Sequence, residues 1–342
     1  MKETVNFSLC KTDLGKFDGK WSELGSFLKG HGLSGVELFI DQRSLPEIPK
    51  ELVTGVHLPY WMGHHRAWVD SSVFCREMGE LERLLVYGGC CREEVICNFK
   101  QTLMNAVSLE AAYGVFHVAY SEPSYIFARE FECTDIDVFR TTADFLNESV
   151  ADFPNGEPPV RLFFENLWWP GLTLLDPATV LQFTEMLEFD NWAFVLDTGH
   201  LIAAVGNCFQ EDHGVDAVLN VLSCHSDEMI DRIEGMHFHC GMSGGYAHNK
   251  FEGCYDPDDE NMFFEAMKYV NIIDPHQPFT SERCREIVDF VSPDFLTHEF
   301  LSWDLAELDH KIRTQRHALY KKFDKSLDEA NKQELEVHSE VP

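Results

Sequence analysis

The feature that most constrains this sequence is the alternation of short apolar runs with longer helix-like stretches along the whole chain. Runs such as RLFFEN and AFVLDT are apolar until their last residues, which is typical of strands that are buried on both faces. Strands that alternate with helices form parallel βαβ units, and eight such units close a (β/α)8 barrel. The predicted strands are Thr4–Cys10, Gly35–Ile40, Gly55–Tyr60, Gly114–Tyr120, Val160–Asn166, Trp192–Asp197, Gly235–Cys240 and Phe295–Phe300.

The segments between these strands predict one domain rather than two. Predicted helices include Trp21–Gly30, Arg92–Ala111, Asp135–Val150, Pro177–Phe189, Ser281–Val291 and Leu305–Lys325. Residues 61–91 and 241–280 are longer than ordinary connections, and they follow the third and seventh strands, on the side where a barrel keeps its active-site loops. We therefore expect an α/β TIM barrel over residues 1–325, with long loops after strands 3 and 7, and an acidic tail over residues 326–342.

The charge and cysteine content narrow the class of partner. Lys and Arg number 27 against 58 Asp and Glu, a net charge of −31. Proteins that bind DNA or anionic membranes need a basic surface, so we expect a small-molecule substrate and neither of those partners. The eleven scattered cysteines include no CxxC pair, and no apolar run approaches the roughly 20 residues of a membrane span. These features predict a cytoplasmic protein with reduced thiols, and a homo-oligomer is one possible assembly.

Side chains that can bind metal fall at the ends of six successive predicted strands. They are His57, His117, Glu165, Asp197 with His200 one helical turn later, His237 with His239, and Glu299. A carboxylate at the end of a buried strand is costly unless it is paired or bound to a cation, and the strand ends of a barrel meet at one face. The sequence therefore predicts one metal site with a core of Glu165, Asp197, His237 and Glu299.

Each of these residues also has an ordinary structural interpretation. A single strand histidine such as His57 or His117 is more often a hydrogen-bonded core residue than a ligand. Glu165 could be an ion-pair partner, and His239 could face the cavity without touching a metal. Asp197 could simply cap the helix that follows it, because DTGH is a good N-cap pattern. The coincidence of six strand ends favours a shared site.

The motifs GVHLPY, VFHVAY, FFENLWWPG, VLDTGHLIAA, GMHFHC and THEF resemble, in this order, the strand-end motifs of the xylose isomerase-like TIM barrel superfamily. That group includes family 2 apurinic endonucleases, of the endonuclease IV type, and metal-dependent sugar isomerases and epimerases. The resemblance spans about residues 34 to 303. It implies that Glu165, Asp197, His237 and Glu299 hold the core metal, and that Glu165 and Glu299 move protons on opposite faces of a substrate carbon in epimerases.

The endonuclease-type members imply further ligands at His57, His117 and His200, and at a D-x-H pair after the seventh strand. Asp274 and His276 of IIDPHQPF match this pair, although they lie farther from His237 than is usual, and His248 and Asp256 compete for the role. The basic DNA-inserting loops of the endonucleases are missing. The second glutamate that epimerases often carry after strand five is replaced by LWWPG. The motifs therefore leave the reaction open.

Several aromatic and cationic residues are candidates for substrate binding. Tryptophans 61, 68, 168 and 169 could form pocket walls, or they could be ordinary loop packing. His64, His65 and Arg66 could bind an anionic group, and Arg66 is the best single candidate, with a surface position as the alternative. The predicted substrate-binding set is His239, Trp61, Arg66, Trp168 and Trp169.

The predicted ligands are carboxylates and imidazoles, which suit one to three ions of Mn²⁺, Mg²⁺, Fe²⁺, Co²⁺ or Zn²⁺. Three functions follow. The first is an isomerase or epimerase of a sugar or other hydroxy-carbonyl compound, with Glu165 and Glu299 as ligands and proton-transfer groups. The second, close behind, is a multinuclear hydrolase such as a phosphoesterase, or an iron oxygenase. The third is a barrel that binds a ligand without catalysis.

Overall fold

Eight strands pair in parallel and in chain order, and the last strand pairs with the first, so that the sheet closes into a barrel. This computed structural model describes residues 1–43, 45, 47–75, 80–128, 130–242 and 262–320. The strands are β1 Lys2–Phe7, β2 Gly35–Phe39, β3 Val53–His57, β4 Tyr113–His117, β5 Arg161–Glu165, β6 Trp192–Asp197, β7 Ile233–Phe238 and β8 Phe295–His298. The predicted (β/α)8 barrel is confirmed.

Helices follow the strands and cover the outside of the barrel. Within the described residues they are α1 Lys11–Lys16, α2 Trp21–His31, α3 His64–Val69, α4 Glu80–Tyr87, α5 Arg92–Ser108, α6 Pro123–Ala128, α7 Asp135–Val150, α8 Pro177–Glu185, α9 Thr198–Val205, α10 Glu211–Leu222, α11 Asp227–Ile230, α12 Met262–Ile273, α13 Cys284–Val291 and α14 Leu305–Tyr320. Their starts follow local chemistry. Thr134 and Asp137 form a reciprocal capping box on α7, and Asp176 caps α8 ahead of a proline.

Side chains of each strand alternate between the barrel interior and the layer beneath the helices. The interior holds an apolar cluster of its own, in which the Tyr113 and Phe163 rings stack with centroids 4.4 Å apart. Gly55 makes room for this stack, because a Cβ there would lie 2.2 Å from the Tyr113 ring. The larger core lies between the barrel and the helices. The site therefore rests on a packed floor rather than on a pore.

Several predicted boundaries differ from the structure. Seven of the predicted strands have different ends, and most of them stop before the predicted last residues because the backbone leaves the ladder as it turns into the loops. Residues 61–91 are largely helical, with α3, α4 and a 3₁₀ helix at Ser71–Cys75. The predicted tail, residues 326–342, lies outside the described residues.

The fold bears on the absence of a membrane span and on the state of the cysteines. Across the described ranges, no helix is both long and apolar enough to cross a membrane. The cysteines in the same ranges are free thiols.

Candidate metal centre

The C-terminal ends of β3 to β8, together with the turn after α12, bring the predicted ligand residues together in three neighbouring groups, two of which share Glu165. The groups are Glu165, Asp197, His237 and Glu299; His57, His117 and Glu165; and His200, His239, Asp274 and His276. In each group, one ligand atom from every residue lies within 4.8 Å of the others. The proximity expected from the strand-end pattern is therefore observed, and His239, expected to contact substrate, joins the third group. His248 and Asp256 lie outside the described residues.

The first group occupies the middle of the barrel mouth. His237 Nδ1 lies 2.9 Å from Glu299 Oε2, 3.3 Å from Glu165 Oε1 and 3.9 Å from Asp197 Oδ2. The side chains of Glu165, Asp197 and His237 are fully buried, whereas that of Glu299 is 12% exposed. Three carboxylates around one imidazole nitrogen suit a bound cation, because positive charge, whether from a metal ion or from protonated imidazole, offsets the mutual repulsion of the carboxylates.

Glu165 belongs to two of the groups at once. Its Oε2 atom lies 3.1 Å from His57 Nε2 and 2.9 Å from His117 Nε2. Its Oε1 atom lies 3.2 Å from His200 Nδ1 and 3.3 Å from His237 Nδ1. A carboxylate whose two oxygens face different sets of imidazoles has the geometry of a bridging ligand between two ions.

The third group depends on a turn directly after α12. Asp274 Oδ2 lies 3.1 Å from His200 Nε2, and Asp274 Oδ1 lies 3.5 Å from His239 Nδ1. The ring of His276 stacks on that of His239 at 4.2 Å. The backbone of His276 has φ = 48°, a left-handed conformation that is strained for a residue with a side chain, and its Nδ1 donates to the Asp274 carbonyl. The D-x-H candidate is thus held in a specific, costly turn.

Asp197 serves as a helix cap and as part of the cluster, so both sequence interpretations hold. Its Oδ1 accepts a hydrogen bond from the His200 backbone N–H at 2.6 Å, which caps α9, while Oδ2 lies 2.9 Å from His239 Nε2. Gly199 permits this approach, because a Cβ at that position would lie 2.0 Å from His239 Cε1. One turn of the DTGH motif therefore contains a carboxylate, an imidazole and a glycine that lets the His239 ring come close.

Backbone carbonyls hold two of the histidines in a defined tautomer. His57 Nδ1 donates to the Leu58 carbonyl at 2.7 Å, and His200 Nδ1 donates to the Asn166 carbonyl at 2.9 Å. Since Nδ1 is occupied by the carbonyl in each ring, Nε2 is the nitrogen that faces the cluster, and it can bind a cation once it has lost its own proton. A hydrogen bond that fixes the ring nitrogen facing away from the ion is characteristic of metal-binding histidines.

Glu37 of β2 is a residue that the strand-end pattern missed. It lies below the cluster, with Oε1 2.9 Å from His237 Nε2, and its Oε2 accepts from the Tyr113 hydroxyl at 2.8 Å and the Thr297 hydroxyl at 3.0 Å. It therefore orients His237 with Nδ1 towards the first group. The available signal was a lone charged residue in the middle of the apolar strand GVELF.

Tyr60 was also missed, although it ends the quoted GVHLPY motif. Its ring centroid lies 4.6 Å from that of His57 and 4.7 Å from that of His117. It covers the two histidines of the second group on the cavity side.

Mutual attraction governs the ionisation of the cluster. Burial opposes ionisation of Glu165 and Glu299, but neighbouring His117 and His237 outweigh it, so both carboxyl pKa values lie well below the ordinary range. Burial likewise opposes protonation of His237, yet the surrounding carboxylates raise its pKa well above the usual value. The same balance raises the pKa of His276 to about 9. A bound cation would replace these protons, so its affinity should rise with pH.

Unsatisfied buried atoms provide a test of whether these residues fit a metal. Among the described residues, Glu165 Oε1, His237 Nδ1, His239 Nδ1, Glu299 Oε2 and both carboxylate oxygens of Asp274 are buried without a hydrogen-bond partner. Buried polar atoms without partners are rare in native proteins and need an explanation. Eight of the seventeen such atoms among the described residues belong to the three groups, where they lie side by side, and imidazole nitrogens with carboxylate oxygens are the donors that divalent transition metals take. The residues therefore fit bound metal ions.

A cavity of about 440 Å³ opens onto the cluster. His117, His200, Asp274, His276 and Glu299 form one side of its lining, and the remainder is largely apolar. Of the predicted substrate-binding residues, Trp61, Trp168 and Trp169 line it.

The HHRAW segment lies away from the lining of this cavity in the described structure. His64 is buried between the Trp61 carbonyl and the Thr142 hydroxyl, and His65 Nδ1 lies 2.8 Å from the Thr141 hydroxyl. Arg66 lies 3.8 Å from Asp70, so its predicted substrate contact is not seen. Trp68 packs under the Arg92 guanidinium at 4.2 Å, which is the structural role considered as its alternative.

No protein family model and no curated protein matches the sequence. Among solved structures, endonuclease IV from Thermus thermophilus is 13% identical, and the match covers 94% of this chain and all of that one with a TM-score of 0.50. At this identity the match shows a shared (β/α)8 barrel fold and nothing about the activity. An L-ribulose 3-epimerase is 14% identical over the full length of both chains, with a TM-score of 0.49.

Proposed function

We propose that this protein is a multinuclear metal-dependent hydrolase that acts on phosphoesters of small molecules. The observation that carries the proposal is the position of Glu165, whose two oxygens face the His57–His117 pair on one side and His200 and His237 on the other. One ion would use the first group alone. The second and third groups supply further ligands that a single-metal enzyme does not need.

The charge of the three groups supports an anionic substrate. Their four carboxylates carry four negative charges, and three divalent cations would bring six positive ones. The loaded site would then attract a phosphate group, whereas a single divalent ion would leave the site negative and would repel it. The net charge of −31 supports a small phosphoester rather than DNA, because the surface lacks the basic excess that a nucleic acid requires.

Bound ions would supply Lewis acidity and a water of lowered pKa. The protein holds the ligand atoms in place in advance, since the His200 N–H fixes Asp197 and backbone carbonyls fix His57 and His200. Of the first group, Glu299 lines the cavity, so it is the carboxylate able to take a proton beside the substrate. Trp168 and Trp169 line the same cavity and exclude water beside His200.

Isomerisation with Glu165 and Glu299 as paired proton-transfer groups stays a prediction and receives less support. Such a reaction needs both carboxylates to reach a substrate carbon. The side chain of Glu165 is fully buried, both of its oxygens face imidazoles, and it is not among the described residues that line the cavity. Glu165 therefore resembles a ligand more than a base.

Metal analysis of the purified protein, together with hydrolysis of bis(4-nitrophenyl) phosphate, tests the proposal. We expect about two or three ions per chain, and we expect His57→Ala with His117→Ala to remove about one ion and most of the activity. His310→Ala is the control, because His310 is an exposed histidine on α14. A single ion per chain that persists in the double variant would overturn the proposal. Incorporation of solvent deuterium into a sugar by that species would favour the isomerase.

A further inference from the structure

The cavity above the metal centre is divided into a polar side and an apolar side. Glu299, His276 and the other ligand residues lie on the first. The second consists of aromatic and aliphatic side chains, among them Trp61, Met62, Ile126 and Val270. Pockets for small molecules are commonly apolar with a few polar groups that fix orientation. Besides the ligand residues, the polar lining residues here are Asn6, Asp41, Gln42, Arg43, Ser121 and Asn271. A ligand that matches the cavity therefore needs an apolar part as well as a polar one.

The apolar side is built by a small core of its own. Trp169 and Leu167, which follow β5, pack with Ile126 of α6 and with Ala266 and Ile273 of α12. This cluster is separate from the core between the barrel and the helices. Two helices from the loops after β4 and β7 thus form an apolar wall at a face where loop residues are usually polar. The wall is a structured feature rather than a few exposed side chains.

The apolar wall begins directly at the ligand residues. The Trp168 ring contacts the His200 ring edge-on at 4.9 Å and the Trp169 ring at the same centroid distance. A molecule whose anionic group reaches the His200 group therefore lies against the two tryptophans with its remaining atoms. The indole N–H groups of Trp168 and Trp169 are buried, so the two side chains present their apolar ring surface to that molecule.

We propose that the cavity binds an amphiphilic phosphoester, in which the phosphate faces the ligand groups and an alkyl or aryl group packs against the tryptophan wall. The identity of the polar group rests on the proposed function, whereas the apolar subsite rests on the cavity itself. A sugar can cover only part of this wall, with its small C–H face, whereas an alkyl or aryl group can cover all of it. We therefore expect the enzyme to select among phosphoesters by their apolar group.

Binding of alkylphosphonates, which are not hydrolysed, tests the subsite without turnover. The metal-loaded protein is titrated with methyl-, butyl- and octylphosphonate, and binding is followed by calorimetry and by tryptophan fluorescence. Each methylene that enters the apolar side should strengthen binding by about fourfold until the cavity is full. Equal affinities for the three compounds would overturn the inference.

Two leucines of similar exposure provide a matched pair of variants. Leu85 of α4 is 44% exposed and lines the cavity, whereas Leu181 of α8 is 49% exposed and lies elsewhere. Leu85→Glu should weaken octylphosphonate binding by about tenfold and leave methylphosphonate binding within about twofold. Leu181→Glu should match the wild type. If both variants bind octylphosphonate as the wild type does, the apolar lining of the cavity is not the binding surface.

Hydrolysis of 4-nitrophenyl phosphoesters with methyl or hexyl second esters separates this inference from the proposed function. Hydrolysis with no preference for the hexyl ester would overturn the apolar subsite and leave the hydrolase. Chain-length-dependent phosphonate binding without any hydrolysis would overturn the hydrolase and leave the subsite. A preference for the hexyl ester that Leu85→Glu abolishes would support both.

Discussion

Two layers of the barrel interior are both buried and both polar, yet they differ in how their polar atoms are satisfied. The lower layer contains Glu37, Tyr113 and Thr297, and the upper layer contains the first ligand group. In the lower layer, Glu37 Oε2 accepts from both hydroxyl groups at 2.8 and 3.0 Å. In the upper layer, Glu165 Oε1, His237 Nδ1 and Glu299 Oε2 have no hydrogen-bond partner among the described residues.

The difference shows that a buried charge by itself does not indicate a metal site in this protein. A buried carboxylate with two hydroxyl donors is a complete structural unit, and it stabilises the strands that it joins. A cluster of carboxylates and imidazoles with unsatisfied atoms is incomplete, and bound cations would satisfy it. The two layers should therefore respond differently to substitution.

Glu165→Gln should have the largest effect, because it weakens two ligand groups at once. We expect the loss of about two ions per chain and a fall in phosphoester hydrolysis of at least about 10³-fold, since each lost ion removes several kcal/mol of transition-state stabilisation. Metal analysis and kcat/KM measure the two effects.

Glu234→Gln is the matched control for that variant. Glu234 lies at the opposite end of β7, where it accepts from Arg161 Nε at 2.7 Å. It should retain the full metal content. Equal metal loss in both variants would mean that the upper layer is not a distinct site.

His64 lies outside the barrel interior, and both of its ring nitrogens have hydrogen-bond partners. It therefore serves as a comparison for the histidines of the upper layer. Its Nδ1 donates to the Trp61 carbonyl and its Nε2 accepts from the Thr142 hydroxyl, and burial lowers its pKa to about 4. The folded pKa lies below the unfolded value of about 6.5, so the unfolded state takes up the proton first as the pH falls. The stabilisation that neutral His64 provides is complete above pH ~6.5. Its loss between pH ~6.5 and pH ~4 lowers the free energy of unfolding by about 3 kcal/mol.

Urea unfolding between these pH values measures this contribution. The wild type should lose about 3 kcal/mol more of its free energy of unfolding than His64→Gln over the same interval, because other titrating groups contribute equally to both proteins. Parallel pH profiles for the two proteins would show that His64 does not stay neutral in the folded state.

Glu37→Gln should have the smallest effect of the three and connects the two layers. The amide loses the charge that the Tyr113 and Thr297 hydroxyls face, at a cost of about 2 kcal/mol in the free energy of unfolding. The substitution also weakens the contact that orients His237. We therefore expect the affinity for the metal of the first group to fall roughly 10- to 100-fold. A decrease in stability with unchanged metal affinity would confine Glu37 to the lower layer.

Much of the candidate site could be predicted from the chain, because every ligand residue except Asp274 and His276 lies at a strand end or one turn beyond it. His57, Glu165 and Asp197 each end an apolar run, and parallel strands in a barrel must bring such ends together. Glu37 could not be assigned in the same way, since its role depends on Tyr113 and Thr297 from distant strands. The substrate contact of Arg66 stays a prediction, because a cation in a histidine-rich segment has no required direction and this one lies 3.8 Å from Asp70.

The sequence by itself determined the eight-strand barrel and the residues that meet at its mouth, because strand period and burial are local patterns with one closed solution. Only the tertiary structure decided which candidate residues share an ion-sized space. It divided them into three groups, added His239, and brought Asp274 and His276 together with His200 across a long segment. Sequence spacing does not contain these distances, since they depend on how α12 packs against the loops after β4 and β5.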